Sequence, residues 1–504
     1  MRATYRIIFT LILIGLGTIA PVPAQTALSR DSITASGIRR HVYFLAGEEL
    51  GGRWPGSPGL WIATQYAASQ FRAAGLVPVF KDGETPSYLQ IVPLVRRSVK
   101  PAPVLKVRSL AGEQTFVHGE DFKWFSGSPT GEDGKILPVV RAGYAIGEPE
   151  SGWDDLRGLD VEGKVVILKM GIPPQGLPDV LRVRYSPRNS FMRKITDLIP
   201  RKPAALFIAP DPEIDAQWNM LPTIDASPPF AYKDRAPDGI NIPFIGFLKT
   251  DVGKALLPAG AGGWDQAGAI PGVSIVLQSA AVDEEIQAWN AAGLVPGRDP
   301  ALKDQIVIVS AHLDHLVSRP GEAVFAGAND NASGSAAVME IAEAMASQPC
   351  RRSVLFVLFT AEEGGDMGAL HFLSRPPFPR GRIVADVNMD MIGRNEADSP
   401  DQRAQYVLDS DVIQPAFTRL IQKVNDRTVG WPLKFVHPAG LGDSDHRIFE
   451  AFRIPAVNFY TGKVADTHKP TDTPDKIDYN KAEKIARLVF ETARELAERE
   501  SPWK

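Results

Sequence analysis

Six side chains in the last two fifths of this chain could share one piece of chemistry, the holding of two divalent cations beside a proton acceptor: His312, Asp330, Glu362, Glu363, Asp390 and His468. A binuclear zinc site needs hard or borderline ligands, one carboxylate able to bridge, and a nearby base to take a proton from bound water. The adjacent pair Glu362-Glu363 is the most informative dipeptide. Two neighbouring carboxylates at one turn repel each other, and one would be protonated unless a cation offsets the charge. With a metal present, one glutamate ligates while its neighbour accepts a proton and later delivers it to a leaving group. Asp314, two residues after His312, suits a carboxylate that accepts the imidazole N–H and fixes its tautomer. His315 is expected to point away and form part of the rim.

Such a site requires elements that bring distant residues together. Three apolar, β-branched runs, Ile306 to Ser310, Val354 to Thr360 and Ile383 to Asn388, read as buried parallel strands. Each ends in an ionisable cluster: His312 with Asp314, Glu362 with Glu363, and Asp390. In an open α/β sheet the ligand crevice lies outside the carboxyl ends of the strands, so these clusters are expected to converge. The fold class is therefore α/β, with a mixed, mostly parallel central sheet flanked by helices. A helix over Ser333 to Ala346 follows Asp330, with Asn331 or Ser333 placed to cap it.

Ahead of this core, Ser36 to Ala74 predicts two helices around the loop GGRWPGSPG, in which Gly51-Gly52-Arg53 is read as a turn. Strands follow at Leu76 to Phe80 and Leu89 to Arg96. Between 120 and 263 the pattern changes to short β segments separated by Gly, Pro and Asp, which predicts an inserted β-rich domain. The catalytic domain is then 25–119 with 264–504. After Asp390 the expected elements are a helix around Ile413 to Val424, strands at Leu433 to Val436 and in IPAVNFYTG, and a C-terminal helix from Lys481 to Glu498.

Residues 1–24 form a basic start, an apolar run from Ile7 to Ala20 and Val22-Pro23-Ala24, the pattern of a signal peptide cleaved near Ala24. The run falls short of the roughly 20 residues a spanning helix needs. A periplasmic or extracellular address is expected. The formal charge of −4, with acids and bases interspersed, implies no nucleic-acid partner and no membrane contact beyond export. The single cysteine, Cys350, excludes an intramolecular disulfide and reads as packing.

The motifs AHLDH, GANDNASG, TAEEGG, NMDMIG, GDSDH and HKPTDTPDKID occur in an order that resembles the co-catalytic zinc exopeptidases, the family of bacterial leucine-type aminopeptidases, glutamate carboxypeptidase and the transferrin receptor. The inserted region, with GWDDLRGLDVEGKVVIL and IPFIGFL, resembles a protease-associated domain. The resemblance implies a phosphorylase/hydrolase-like fold and two Zn2+ ions. It places His312 and Asp390 on one ion, Glu363 and His468 on the other, and Asp330 between them, with the Asp330–Asn331 peptide bond cis. Glu362 would be the general base and acid, zinc-bound hydroxide would attack the peptide carbonyl, and the substrates would be peptides with a free N-terminus.

One residue departs from the family pattern. Several relatives place a tyrosine just before the last histidine ligand, where Thr467 stands here, and Tyr460 is the available substitute. Carboxypeptidase and glutaminyl cyclase chemistry on the same scaffold are the alternatives. A binding or receptor protein would be expected to have lost ligands, and all six are present.

Overall fold

The computed structural model describes residues 30–503 apart from 100–102, 127–133, 186–193, 196, 222–229, 234–242, 259, 279–280, 319–320, 322, 396–404, 410–414 and 437–443. The expected signal peptide at 1–24 thus lies outside the described residues. No helix among the described residues is long and apolar enough to cross a membrane.

In chain order the principal elements are α1 (Ala35–Leu45), α2 (Pro58–Ala73), β1 (Leu89–Val99), β2 (Phe230–Tyr232), β3 (Ala281–Val295), β4 (Ile306–His312), α3 (Gly334–Ala346), β5 (Ser353–Phe359), α4 (Met367–Ser374), β6 (Ile383–Met389), β7 (Gln405–Asp409), α5 (Pro415–Thr428), β8 (Leu433–Val436), α6 (His446–Ala451), β9 (Ala456–Tyr460) and α7 (Tyr479–Glu498). The main sheet runs β2-β1-β3-β5-β4-β6-β9-β7-β8, with Val77–Pro78 pairing on β3. The three apolar runs form its parallel centre, β5-β4-β6, continued by β9. The sheet is mixed because β1, β2 and β3 extend one side in antiparallel pairing, and β7 pairs antiparallel with β9 on the other.

Side-chain alternation explains why the central strands read as unbroken apolar runs. Val307, Val309 and Ala311 join one hydrophobic cluster, packed under α1, α2, α3 and α7, while Ile306 and Ile308 join a second on the opposite face with Phe372 of α4 and Phe449 of α6. Both faces are covered, so both sets of alternating positions are mainly apolar, and the exceptions Ser310, Asp386 and Asn388 are tied together by hydrogen bonds from Ser310 Oγ. The same division separates Val354, Phe356 and Leu358 from Leu355, Val357 and Phe359 in β5. Helix α3 packs closely because it is rich in alanine and begins on a glycine; a Cβ on Gly334 would lie 2.5 Å from the carbonyl oxygen of Met389.

A second sheet of eight strands has its own core around Trp124, Phe207 and Phe244. Its order is Gly112–Val117, Val104–Ser109, Ala267–Gln278, Ile136–Ala142, Val165–Leu168, Ala205–Ile208, Phe244–Leu248 and Phe122–Ser126. It reaches beyond the expected range 120–263 on both sides, since 104–117 and 267–278 are strands of this sheet. Conversely β2, inside that range, pairs with β1 of the main sheet. The composition shift that suggested the boundary marks where loops become Gly- and Pro-rich, whereas sheet membership depends on pairing between distant strands.

Candidate metal centre

The ends of the parallel strands supply the site. His312 is the last residue of β4, Asp390 follows β6, and Glu362 and Glu363 follow β5 by a short turn. Asp330 lies in a distorted turn (Ala328–Ser333) leading into α3, and His468 lies in the loop between β9 and α7. The peptide bond between Asp330 and Asn331 is cis.

All six predicted residues come together. His312 Nε2 lies 3.1 Å from Asp390 Oδ1 and 3.4 Å from Asp330 Oδ1. His468 Nε2 lies 3.1 Å from Asp330 Oδ2 and 3.4 Å from Glu363 Oε2. Ligands held at 2.0–2.1 Å around a tetrahedral zinc stand about 3.3 Å from one another, so each of these four distances matches an edge of such a polyhedron. Glu362 Oε2 stands farther off, 3.9 Å from His312 Nε2. The two oxygens of Asp330 face different imidazoles, the arrangement a bridging carboxylate requires.

The electrostatics also fit cations. Burial opposes protonation of His312, but Glu362, Asp390 and Asp330 outweigh it and hold the imidazole pKa well above its ordinary range. At His468 burial likewise opposes charge, and Asp330 and Glu363 raise the pKa to about 9. Burial, reinforced by Asp366, Glu363 and Asp390, pushes Glu362 well above the carboxylate range against the pull of His312. Without cations, this cluster gathers protons to offset its negative charge, and bound metal would supply that positive charge instead.

Local sequence explains how the ligands are held. Asn331 donates from Nδ2 to the Met389 carbonyl, and its Oδ1 accepts the N–H groups of Gly334 and Met391. It thereby ties the start of α3 to the end of β6. Ser335 Oγ donates to the His312 carbonyl at 2.7 Å. Three non-glycine residues at the site have positive φ, namely Ala361 before Glu362, Met391 after Asp390, and His468 itself. Such conformations cost on the order of 1–3 kcal/mol each and persist where surrounding contacts impose them.

Two expectations are revised. His312 Nδ1 lies 3.2 Å from the backbone carbonyl of Asp314 but 3.9 Å from its carboxylate, so the carbonyl takes the imidazole proton. The Asp314 carboxylate accepts the backbone N–H groups of Glu362 at 3.1 Å and Glu363 at 3.3 Å. His315 is fully buried rather than on the rim, with Nδ1 2.9 Å from Glu363 Oε1. After His312 the chain has left the strand, so strand alternation does not set the direction of the His315 side chain.

Sequence reading missed two further residues. Arg53 is fully buried and donates to the carbonyls of Leu45, Leu313, Ala326 and Gly327 at 2.6–2.9 Å. It joins the loop bearing His312 to the loop bearing Asp330. Burial lowers its pKa to about 10, with Asp314, Asp330, Asp472 and Glu363 opposing the shift, so it stays cationic at neutral pH. Asp472, also buried, accepts the N–H groups of Asn329 and Asp330. The only sequence signals were an arginine after two glycines and an aspartate within HKPTD. Of the remaining candidates, Tyr460 ends β9 and Thr467 Oγ1 accepts the N–H of Val464.

The parallel-centred α/β sheet thus ends in two adjoining groups of potential cation ligands that meet at the Asp330 carboxylate. Residues 290–493 match the model of peptidase family M28. The chain is 25% identical over 256 residues to a probable leucine aminopeptidase of Arthroderma otae, covering 45% of this chain and 64% of that one. It is 27% identical over 211 residues to aminopeptidase YwaD of Bacillus subtilis, covering 39% and 42%. The match thus spans less than two thirds of the length of these curated relatives. Among solved structures, an aminopeptidase from Aneurinibacillus sp. strain AM-1 shares the fold, with a TM-score of 0.57 at 20% identity over 94% of this chain and 96% of that one.

Proposed function

We propose that this protein is an exported aminopeptidase that holds two zinc ions and removes N-terminal residues from peptides. The observation that carries the proposal is Asp330, whose two carboxylate oxygens face His312 and His468 at 3.4 and 3.1 Å. In this reading His312 and Asp390 hold one ion, Glu363 and His468 hold the other, and Asp330 is shared. When bound, the two ions acidify a water molecule and polarise the scissile carbonyl. The aminopeptidase names of the similar proteins support the substrate class.

The chain's own residues do the rest. Glu362 stands one step outside the ligand edges, 3.9 Å from His312 Nε2, where its carboxylate would take a proton from the attacking water and return it to the departing amine. The Asp314 carboxylate fixes the backbone of both glutamates, so proton acceptor and ligand keep their separation. Arg53 and Asp472 hold the loops of His312 and Asp330 before any ion arrives.

The eight-stranded second sheet is read as a protease-associated domain, and the signal sequence as directing the mature chain to the periplasm or the exterior. The test is hydrolysis of free and N-acetylated aminoacyl anilides before and after chelation and zinc return. Cleavage of only the free-amine substrates, lost on chelation and restored by zinc, is the expected result. A protein loaded with two zinc ions that ignores every free-amine substrate would overturn the aminopeptidase reading.

A further inference from the structure

His315 has no part in the ligand set above, yet it is fully buried against it. Its Nδ1 lies 2.9 Å from Glu363 Oε1 and 4.0 Å from Asp330 Oδ2. The other Glu363 oxygen, Oε2, faces His468 at 3.4 Å. The two distances differ in kind: 3.4 Å matches a ligand edge around a metal, while 2.9 Å is an ordinary N–H···O hydrogen bond. His315 Nε2 is buried with no hydrogen-bond partner among the described residues. A proton there would be an unpaired buried donor, so the hydrogen-bond pattern assigns the proton to Nδ1, which donates to Glu363.

Space for this ring is specific. Gly327 has φ +58°, and a Cβ there would lie 2.4 Å from His315 Cγ. The backbone N–H of His315 donates to the Arg53 carbonyl at 3.2 Å, which fixes the ring's origin. Consecutive residues therefore hold both ends of Glu363: the Asp314 carboxylate takes its N–H, and His315 holds one carboxylate oxygen. The need is greatest at this cation position, because the His468 side chain is 53% exposed while that of His312 is 1% exposed.

We infer that His315 is a positioning residue for the cation site of Glu363 and His468, orienting Glu363 so that Oε2 alone is presented to the ion. The inference rests on the two-ion reading above and concerns only how firmly the second ion is held. A hydrogen-bonded carboxylate ligand that loses its outer partner typically loses about 10–100-fold in metal affinity.

The experiment is zinc binding by the purified full chain, stripped of metal and titrated against a chromophoric chelator, with thermal melting of the metal-free protein in parallel. His315→Phe and His315→Leu remove the donor; His315→Asn restores an N–H near the position of Nδ1. The expected result is one ion bound as in wild type and the other about 10–100-fold weaker in the Phe and Leu variants. His315→Asn should recover most of the loss, and metal-free melting should stay close to wild type. Unchanged binding of both ions in the Phe and Leu variants overturns the inference. So does equal weakening of both ions with a lowered metal-free melting temperature, or failure of Asn to recover. Fewer than two ions in wild type would instead sink the two-ion reading, before any variant is compared.

Discussion

The carboxylate of Asp472 accepts the backbone N–H of Asp330 at 3.1 Å across 142 residues of sequence. Because Asp472 lies in the same loop as His468, this contact fixes Asp330 relative to one of the two imidazoles its carboxylate faces. Asp472→Ala leaves the buried N–H groups of Asn329 and Asp330 unpaired and is expected to cost about 2–4 kcal/mol. Urea denaturation of the metal-free protein gives the stability term. Zinc titration should show the ion at His468 and Glu363 weakened more than the other; equal weakening would mean that the loop is not coupled to one site.

Glu362→Gln removes the proton acceptor while keeping shape and leaving the two ligand sets untouched. The turnover number should fall by about 10²–10⁴-fold with two zinc ions still bound. Turnover is read from a free-amine anilide assay and metal content from elemental analysis. Retained turnover would move the proton-transfer role to another group.

Arg53→Met deletes a cation that serves four buried carbonyls and both ligand loops. Losing that many acceptors' partners predicts a destabilisation of about 3 kcal/mol or more, visible as a lowered melting temperature. Methionine fills the volume without donors, so a variant as stable as wild type would show that the carbonyls find other partners.

Asp386 lies behind the site in β6, where Ser310 Oγ donates to its Oδ1 at 2.7 Å and its Oδ2 has no hydrogen-bond partner among the described residues. Burial raises its pKa to about 8. A carboxyl whose folded pKa exceeds its unfolded value contributes stability that is complete below the unfolded pKa and is lost as pH rises toward the folded one. Wild type should therefore lose stability between about pH 4 and pH 8, by at most about 1.4 kcal/mol per pH unit from this group. Asp386→Asn should flatten that slope in denaturation curves collected across the range. An unchanged slope would mean that Asp386 ionises in the native protein.

The legible part of the site is the part written along strands. Ile306 to His312 is apolar on both faces and then turns ionisable, and the same change occurs before Glu362 and Asp390, because a buried strand must stop being apolar where it meets the crevice. His315 and the Asp314 carboxylate were misplaced because they lie in a turn, where no periodicity fixes side-chain direction. The boundary of the second domain was drawn too narrowly for a related reason. Val104–Ser109 and Ala267–Gln278 pair with each other across more than a hundred and fifty residues, and nothing local announces it.

By itself the sequence determined the parallel core, the six residues that gather beyond its strand ends, and their order along the chain. It could do so because strand burial and ligand chemistry are both properties of residue type and spacing. Only the tertiary structure decided that Asp330 turns one oxygen to each imidazole, that Arg53 reaches the Leu313 carbonyl 260 residues away, and that His315 closes on Glu363. Those relations are hydrogen bonds between loops, set by the packing of α1, α3 and the strands beneath them. A hydrogen bond between distant residues leaves no periodic trace in either segment.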